Sequence, residues 1–251
     1  MFGRGGALVK PDSFSKVGID ADIVAYSCSF SAQDKTKGDL HNGIDDLINY
    51  IISSTVVFPT PTNVAGYLTG SDNFRDELAV TYGYKHNRKD TEKPKWLAEA
   101  REYMVDKWKF VVINGQEADD ALSIDATNYF DPDAYVIATI DKDLNTVAGW
   151  KFNFKKGAFT YWTEHEALLY FYEQCLTGDK ADGIIGLFRV GPVKAKKILD
   201  GALTEGEMFT RVLKAYEGSE TLVGKPYDRL IENARLLRMR RYEGEIWKPP
   251  T

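Results

Sequence analysis

The chain has 251 residues, 43% of them hydrophobic and 13% aromatic, with a formal net charge of −5. This composition excludes a disordered protein and is sufficient for one large domain, or for one domain with a small lobe. No apolar run reaches the roughly 18 residues of a membrane span and the N-terminus lacks a secretory signal, so we expect a soluble, cytoplasmic protein. Cys28 and Cys175 lie far apart without CxxC spacing, which predicts packing residues rather than a disulfide or a zinc site.

Short apolar segments alternate with amphipathic stretches over residues 1–162. Strands are predicted at 17–26, 64–70, 109–114 and 134–140, and helices at 41–54 and 117–130. This alternation predicts an α/β fold with a mostly parallel central sheet flanked by helices. Ligands of such a sheet collect beyond the carboxyl ends of its strands.

The pattern becomes purely helical from about residue 163. Helices are predicted at 164–176, 191–203, 205–216 and 225–242. We therefore expect a core at 1–162 and a helical lobe at 163–251, without internal repeats or a flexible linker.

Carboxylates gather where the predicted strands end. The stretch GQEADDALSI places Glu117, Asp119 and Asp120 together at a helix start. One carboxylate would complement the helix dipole, whereas three so close repel one another, a conflict that a cation would remove. Further acids occur without accompanying histidines at Asp20, Asp22, Asp72, Asp141, Asp143, Asp179 and Asp182.

This oxygen-only inventory suits Mg²⁺ or Mn²⁺ better than zinc. Two such ions about 4 Å apart could clamp a phosphodiester. Each acidic motif alone is also typical of a helix N-cap or a polar turn. The succession of four acidic clusters along an α/β chain favours the metal site.

The chain resembles the flap-endonuclease and 5′-nuclease superfamily over residues 17–199. The motifs that carry the resemblance are GIDADIVAYS, FRDEL, YKHNR, GQEADDALSI, TIDKDLNTV and LTGDKADGIIGLFRVGPVKAKKIL. It is most similar to the 5′→3′ exonucleases of short-tailed bacteriophages, because Gly183 stands where most relatives have Asn and the tail is basic. The resemblance implies a PIN/5′-nuclease-like core with a helical arch at about 82–108, and a helix-three-turn-helix at about 178–200.

The resemblance also implies two divalent cations, Mg²⁺ or Mn²⁺, held by eight carboxylates. These are Asp20, Asp72, Glu117 and Asp119 for the first ion, and Asp141, Asp143, Asp179 and Asp182 for the second. Asp120 would be a catalytic residue in the shell around both ions. Asp22 stands where the family has a small or neutral residue, and its role stays open.

The basic stretch YGYKHNRKDTEKPK, at 82–95, resembles the family's Tyr-Lys-x-x-Arg motif, although such a run is also usual on a solvated surface. By this resemblance Lys85 would stabilise charge on the scissile phosphate, and Arg88 would hold the same or a neighbouring phosphate. Tyr84 would stack on a terminal base, and Lys89 would also bind the substrate. We interpret His86 as incidental.

A second basic stretch, GLFRVGPVKAKKIL, predicts a turn that opens a helix with its N–H groups directed outward. It would hold the backbone of duplex DNA without reading sequence, a role that net negative charge does not exclude. The expected contacts are Arg189, Gly191, Lys194, Lys196 and Lys197, with Arg235, Arg238, Arg240 and Arg241 extending the grip. By resemblance, K⁺ would bind at this helix-three-turn-helix.

The function predicted is divalent-metal-dependent 5′→3′ exonuclease action on duplex DNA, with 5′-flap cutting and RNase H-like primer removal in phage replication or recombination. The partners would be duplex DNA with a 5′ end or 5′ flap and an RNA–DNA hybrid, without a membrane, and no protein partner is indicated. Two alternatives stay open. One is a phosphatase of the haloacid-dehalogenase type with Asp20 as nucleophile and Asp22 as acid, and the other is a DNA-binding module without catalysis.

Overall fold

A six-stranded sheet forms the centre of the computed structural model, which describes residues 9–88 and 92–251. Its strands are β1 Lys16–Asp20, β2 Val64–Asn73, β3 Val111–Gly115, β4 Tyr135–Ala138, β5 Gly149–Asn153 and β6 Ala158–Trp162. They lie in the order β3-β2-β1-β4-β5-β6, and each neighbouring pair is parallel except β5 with β6. The expected α/β fold with a mostly parallel central sheet is confirmed.

Helices cover the sheet and form the C-terminal part of the chain. They are α1 Ala21–Ser31, α2 Lys37–Thr55, α3 Phe74–Leu78, α4 Leu97–Trp108, α5 Ala118–Thr127, α6 Glu164–Thr177, α7 Pro192–Leu199, α8 Glu205–Glu217 and α9 Pro226–Leu237. A short antiparallel hairpin lies between α6 and α7, and its two strands, β7 Gly178–Asp179 and β8 Ile184–Ile185, have two residues each. Each of the long predicted helices is present, with its ends shifted by a few residues.

Both faces of the sheet are buried, as the alternation along β4 shows. Val136 and Ala138 join the core formed with α1, α2 and α4, whereas Tyr135 and Ile137 join a smaller core under α5. The apolar face predicted for α2 lies in the first of these cores, with Ile48 fully buried. A third core joins α6, α7, α8 and α9.

The segment 17–26 is a strand only as far as Asp20, so the prediction of a strand through Tyr26 is wrong. The chain changes from strand to helix at a helix cap, because the Asp20 carboxylate accepts a hydrogen bond of 3.1 Å from the Ile23 backbone N–H. This cap places Asp20 at the carboxyl end of the central strand, with α1 leading away from it.

The antiparallel hairpin of β5 and β6 was not predicted. Its two aromatic-rich segments, GWKFN and AFTYW, are joined by a tight turn in which Gly157 has φ +63°. The alternating apolar residues of these segments were the available signal. The second strand of the hairpin, β6, forms an edge of the sheet and ends at Trp162, and α6 begins two residues later at Glu164.

The C-terminal helix ends at Leu237, five residues before the predicted end at 242. Beyond it the backbone is extended, because its polar groups bind side chains of the core rather than continuing the helix ladder. Both cysteines are buried, as expected of packing residues. A search of the described helices found none with the length and apolar character needed to cross a membrane.

Candidate active site

A cavity of about 500 Å³ lies where β1, β2 and β4 end and α5 begins. Seven carboxylates line it: Asp20, Asp22, Glu117, Asp119, Asp141, Asp143 and Asp182. Three cationic side chains, Lys85, Lys93 and Arg101, face the same space. The parallel topology therefore brings together acids that are more than 160 positions apart in the sequence.

Three of these carboxylates, Asp20, Asp119 and Asp141, repel one another. Burial, with added repulsion from Asp22 and Asp141, raises the pKa of Asp20 to about 7, although Thr139 Oγ1 donates to it at 2.7 Å. Burial and the charges of Asp20, Asp141 and Glu117 raise the pKa of Asp119 well above its usual range. Negative charge is thus concentrated here beyond what the surrounding protein neutralises.

Glu117, in contrast, is engaged by three side chains. Its carboxylate accepts a hydrogen bond of 2.8 Å from Tyr84 Oη, forms an ion pair with Lys85, and lies 3.5 Å from Arg75 Nη1. Tyr84 Oη also lies 2.9 Å from Asp182 Oδ2. Tyr84 therefore joins Glu117 of the core to Asp182 of the β7–β8 loop.

The second acidic group surrounds Lys142. Its ammonium is paired with Asp143, at 3.1 Å, and with Asp179. Burial, and repulsion from Asp141 and Asp179, raise the pKa of Asp143 to about 6. Burial opposes ionisation of Asp179 as well, but Lys142 and two backbone N–H groups hold its pKa below the ordinary value. Gln174 of α6 donates to Asp143 at 2.7 Å and so fixes its orientation.

Lys85 is held at the cavity by its backbone. It has φ +49°, a conformation that is unusual for a residue with a side chain, and its N–H donates to the Asp182 carbonyl at 2.9 Å. The neighbouring Asn87 donates to the Lys180 carbonyl at 2.9 Å. Close packing also explains Gly183, because a Cβ there would lie 2.8 Å from His86 Nδ1. The basic motif and the Gly-Asp loop thus form one unit.

Asp120 does not line the cavity, which corrects its expected catalytic role. Its carboxylate is fully buried behind the cavity and accepts hydrogen bonds from both Nη atoms of Arg75, at 2.5 and 2.9 Å. Burial opposes ionisation, but the Arg75 guanidinium outweighs it and holds the pKa of Asp120 below its ordinary value. Asp120 is a structural partner of Arg75.

Asp72 is also placed away from the cavity. It is exposed, with φ +59°, and its carboxylate accepts from Ser71 Oγ at 2.9 Å. The register of β2 against β3 shifts between Thr69 and Asn73, so β2 continues past the cavity before Asp72 is reached. This placement does not support Asp72 as a metal ligand. Asp179 likewise lies beside the cavity, against Lys142, rather than among the lining residues.

The basic motif differs from expectation in one further respect. Tyr84 is buried and its hydroxyl is engaged by carboxylates, so it is not placed to stack on a base. The Arg88 side chain and Lys89 lie outside the described residues, and the roles expected for them stay predictions. In the expected arch, Lys85 and Lys93 line the cavity, and α4, which packs against α1 and α2, contributes Leu97 and Arg101 to the same lining.

The basic turn before α7 is open to solvent. All five expected contacts, Arg189, Gly191, Lys194, Lys196 and Lys197, are exposed, while Ala195 and Leu199 bury the other side of α7. The tail arginines are different, because Arg238 and Arg240 turn inward, where Arg240 is 9% exposed. Their expected contact with DNA is therefore not supported by their placement.

Several residues at the site were not predicted. Tyr26 of α1 lines the cavity with 40% of its side chain exposed, and Arg101 of α4 forms an ion pair with Asp22. Asp22 also accepts from the Thr69 N–H at 2.9 Å, so it is occupied as an anchor rather than free as the acid of a phosphatase. Helical spacing from Asp22 to Tyr26 could have indicated that both face the cavity.

The lining residues fit hard divalent cations, because their donors are carboxylate oxygens and burial with mutual repulsion raises the pKa of two of them, Asp20 and Asp119. Within residues 9–88 and 92–251, however, no three carboxylate, histidine or cysteine side chains are already arranged as the ligands of one ion.

Comparison with known proteins identifies the class of fold. No protein-family model matches the sequence. The fold is nevertheless shared with solved structures: the D15 protein of bacteriophage T5, co-crystallised with metal ions, superposes with a TM-score of 0.62 at 17% identity, over 88% of each chain. The catalytic core of Rad2, in complex with DNA substrate, gives a TM-score of 0.57 at 13% identity, over 95% of this chain and 84% of that one.

In sequence, the chain is similar to the exodeoxyribonuclease of Enterobacteria phage T3. The two are 28% identical over 208 residues, which cover 70% of this chain and 67% of that protein. The resemblance to 5′-nucleases, and to phage members among them, is confirmed.

Proposed function

We propose that this chain is a divalent-metal-dependent 5′→3′ exonuclease of duplex DNA that also cuts 5′ flaps and removes RNA primers from RNA–DNA hybrids. The observation that carries the proposal is the group Asp20, Asp119 and Asp141, whose charges meet at one cavity and repel one another, a repulsion that Lys85 offsets only in part at Asp119. The phage T3 relative, named as an exodeoxyribonuclease, supports the same reaction. The setting would be phage DNA replication or recombination in the cytoplasm of a bacterial host.

The residues proposed to hold the cations are those that face the cavity. Asp20, Glu117, Asp119 and Asp141 would hold one Mg²⁺ or Mn²⁺, and Asp143 and Asp182, with Asp179 adjoining, would hold or orient a second. When bound, such cations supply Lewis-acid chemistry, lowering the pKa of a water and neutralising charge on the phosphodiester. The T5 5′-exonuclease, which shares the fold, was solved with divalent metal ions (zinc) bound, which supports a divalent requirement.

The chain's own residues complete the site. Lys85 stands at the cavity on a fixed backbone and is proposed to stabilise charge on the scissile phosphate. To do so, its ammonium must leave Glu117, which a cation bound by Glu117 would favour by charge repulsion. Tyr26 presents an exposed aromatic face at the cavity and is proposed to stack on the terminal base.

The basic turn before α7 is proposed to hold the backbone of the duplex. Lys194, Lys196 and Lys197 are exposed together on one helix, and the α7 N-terminus directs its N–H groups outward. K⁺ at this turn is proposed as an additional bridge to the phosphates. Backbone contacts of this kind position the DNA without selecting its sequence.

The test is digestion of a 5′-labelled blunt duplex and a 5′-flap duplex with Mg²⁺, beside an Asp141→Ala variant. We expect mononucleotides from the blunt duplex, products from the flap, and a loss of about 10³-fold in kcat for the variant. Cutting at flap junctions alone would redefine the enzyme as a structure-specific endonuclease. No cutting of either substrate by the natural chain with Mg²⁺ or Mn²⁺ would contradict the proposal and favour a DNA-binding module.

A further inference from the structure

The chain returns to the nuclease core after its last helix. Residues 238–245, here called the C-terminal strap, follow α9 in an extended or turn conformation. Met239 packs in the core under α5 and also lines the acidic cavity. The strap therefore reaches the candidate active site from the opposite end of the sequence.

The first attachment of the strap is Arg75, the second residue of α3. This side chain is completely buried and its guanidinium donates to the carbonyls of Leu236, at 2.8 Å, and Arg238, at 3.0 Å. Its remaining donors bind Asp120, as described above. One arginine thus joins the end of α9 and the start of the strap to α5.

The second attachment is Asp120 itself. Its carboxylate accepts from the Arg240 backbone N–H at 3.1 Å and from the Glu117 backbone N–H at 3.2 Å. A single carboxylate therefore holds both the strap and the residue that caps α5. Glu117 is the residue whose own side chain faces the cavity.

The third attachment is the Arg240 side chain. Its Nη1 donates to Gln116 Oε1 at 2.9 Å, its Nε donates to the Glu245 carbonyl at 3.0 Å, and its guanidinium stacks on Phe74 at 3.5 Å. Gln116 also donates to Glu243 at 3.2 Å. The strap thus contacts Gln116 and Asp120 directly, and it is joined to Glu117 through the Asp120 carboxylate.

We propose that the C-terminal strap is a positioning element of the acidic site, and that Arg240 is its principal positioning residue. By fixing Gln116 directly and the Glu117 backbone through Asp120, the strap sets the direction in which the Glu117 and Asp119 carboxylates enter the cavity. This inference rests on the proposed function for its role in catalysis, but its effect on cation binding is separate. It replaces the role in DNA binding that the basic tail suggested.

Helix α9, which precedes the strap, also contacts other parts of the site. Glu232 of α9 accepts from the Thr81 N–H at 2.9 Å, just before the basic motif, and Asn233 donates to the Ile185 carbonyl at 2.9 Å, in the loop that leads to α7. The C-terminal segment therefore contacts the loops of Lys85, of Asp182 and of Glu117. Its buried polar contacts are those expected of a scaffold rather than of a DNA grip.

The experiment compares Arg240→Ala with Arg211→Ala, which removes an arginine of α8 that also donates to backbone carbonyls but lies far from residues 116–120. Four quantities are measured: Mn²⁺ affinity by titration calorimetry, kcat and KM on duplex DNA, and duplex affinity in EDTA. For Arg240→Ala we expect about 10-fold weaker Mn²⁺ binding and about 10-fold lower kcat, with KM and duplex affinity unchanged. Arg211→Ala should match the natural chain.

Gln116→Ala gives a second route, because it removes the acceptor of Arg240 Nη1 while the Arg240 side chain keeps its contacts with the Glu245 carbonyl and Phe74. It should reproduce the loss in Mn²⁺ affinity, and the double variant should lose no more than either single one. Unchanged Mn²⁺ affinity in folded Arg240→Ala or Gln116→Ala would overturn the proposal, as would weaker duplex binding in EDTA. If the natural chain cuts no DNA, the proposed function fails, while the Mn²⁺ affinities still decide the role of the strap.

Discussion

Asp119 and Asp120 are neighbours on one helix turn, yet the protein treats them in opposite ways. Asp120 meets Arg75 and two backbone N–H groups, and its pKa is held below the ordinary value. Asp119 faces Asp20 and Asp141 across the cavity, and burial with their repulsion raises its pKa well above the usual range. One carboxylate is neutralised by the fold, and the other is proposed to be neutralised by a bound cation.

The comparison separates structure from function within a single motif. A buried carboxylate that the protein fully compensates belongs to the scaffold, whereas a group of partly buried carboxylates without compensation marks a site prepared for a ligand. This contrast can be tested at a compensated buried charge, at a buried charge with only weak partners, and at solvated charges.

The largest change in the free energy of unfolding is expected where a buried charge loses its counter-charge. Asp120→Asn should lower the free energy of unfolding by about 3 kcal/mol, because it leaves the buried Arg75 guanidinium without its counter-charge. Asp119→Asn should raise it by on the order of 1 kcal/mol in EDTA, because it removes repulsion. Both are measured by urea unfolding at pH 8. Destabilisation by both variants would contradict the contrast.

Lys151 offers an intermediate case, a buried cation with only weak partners. It is 4% exposed, its ammonium lies 3.3 and 3.4 Å from two backbone carbonyls, and burial lowers its pKa from 10.5 to about 7. Because the unfolded chain binds this proton more tightly, the penalty is complete below pH 7 and fades as the pH rises toward 10.5.

Lys151→Met should therefore stabilise the protein by roughly 3 kcal/mol at pH 6 and by less than about 1 kcal/mol at pH 10. Thermal or urea unfolding across this pH range measures the difference. Lys155→Met, an exposed neighbour in the β5–β6 turn, is the matched control and should change little at either pH. A pH-independent gain for Lys151→Met would show that lost charge is not the cause.

The features of the fold and site that the sequence could predict are those set by residues close together in the chain. The helix spacing of α2 and the strand-end positions of Asp20 and Asp141 are local properties, and they predicted the sheet, its flanking helices and the acidic edge. The fate of Asp120 is not local, because Arg75 is fixed by Leu236 and Arg238, 161 and 163 positions away. The same long-range pairing turned Arg238 and Arg240 inward, although their composition resembled a DNA-binding tail.

The smallest effect is expected at the solvated lysines of α7. Lys196→Ala should weaken duplex binding a few-fold and reduce the slope of log affinity against log salt by about one, since it removes one phosphate contact. Fluorescence anisotropy at several salt concentrations measures the slope. Lys155→Ala, exposed outside the proposed DNA face, should leave it unchanged. Equal slopes for the natural chain and Lys196→Ala would remove this helix from the DNA interface.

Binding of Mn²⁺ to the natural chain, to Asp119→Asn and to Asp46→Asn, followed by titration calorimetry, tests most directly whether the cavity awaits divalent cations. Asp46 is an exposed carboxylate of α2, and its variant controls for a change of net charge. We predict that the natural chain and Asp46→Asn bind Mn²⁺ with the same affinity and that Asp119→Asn binds at least about 10-fold more weakly. Equal Mn²⁺ binding by all three proteins, or none by the natural chain, would contradict the account.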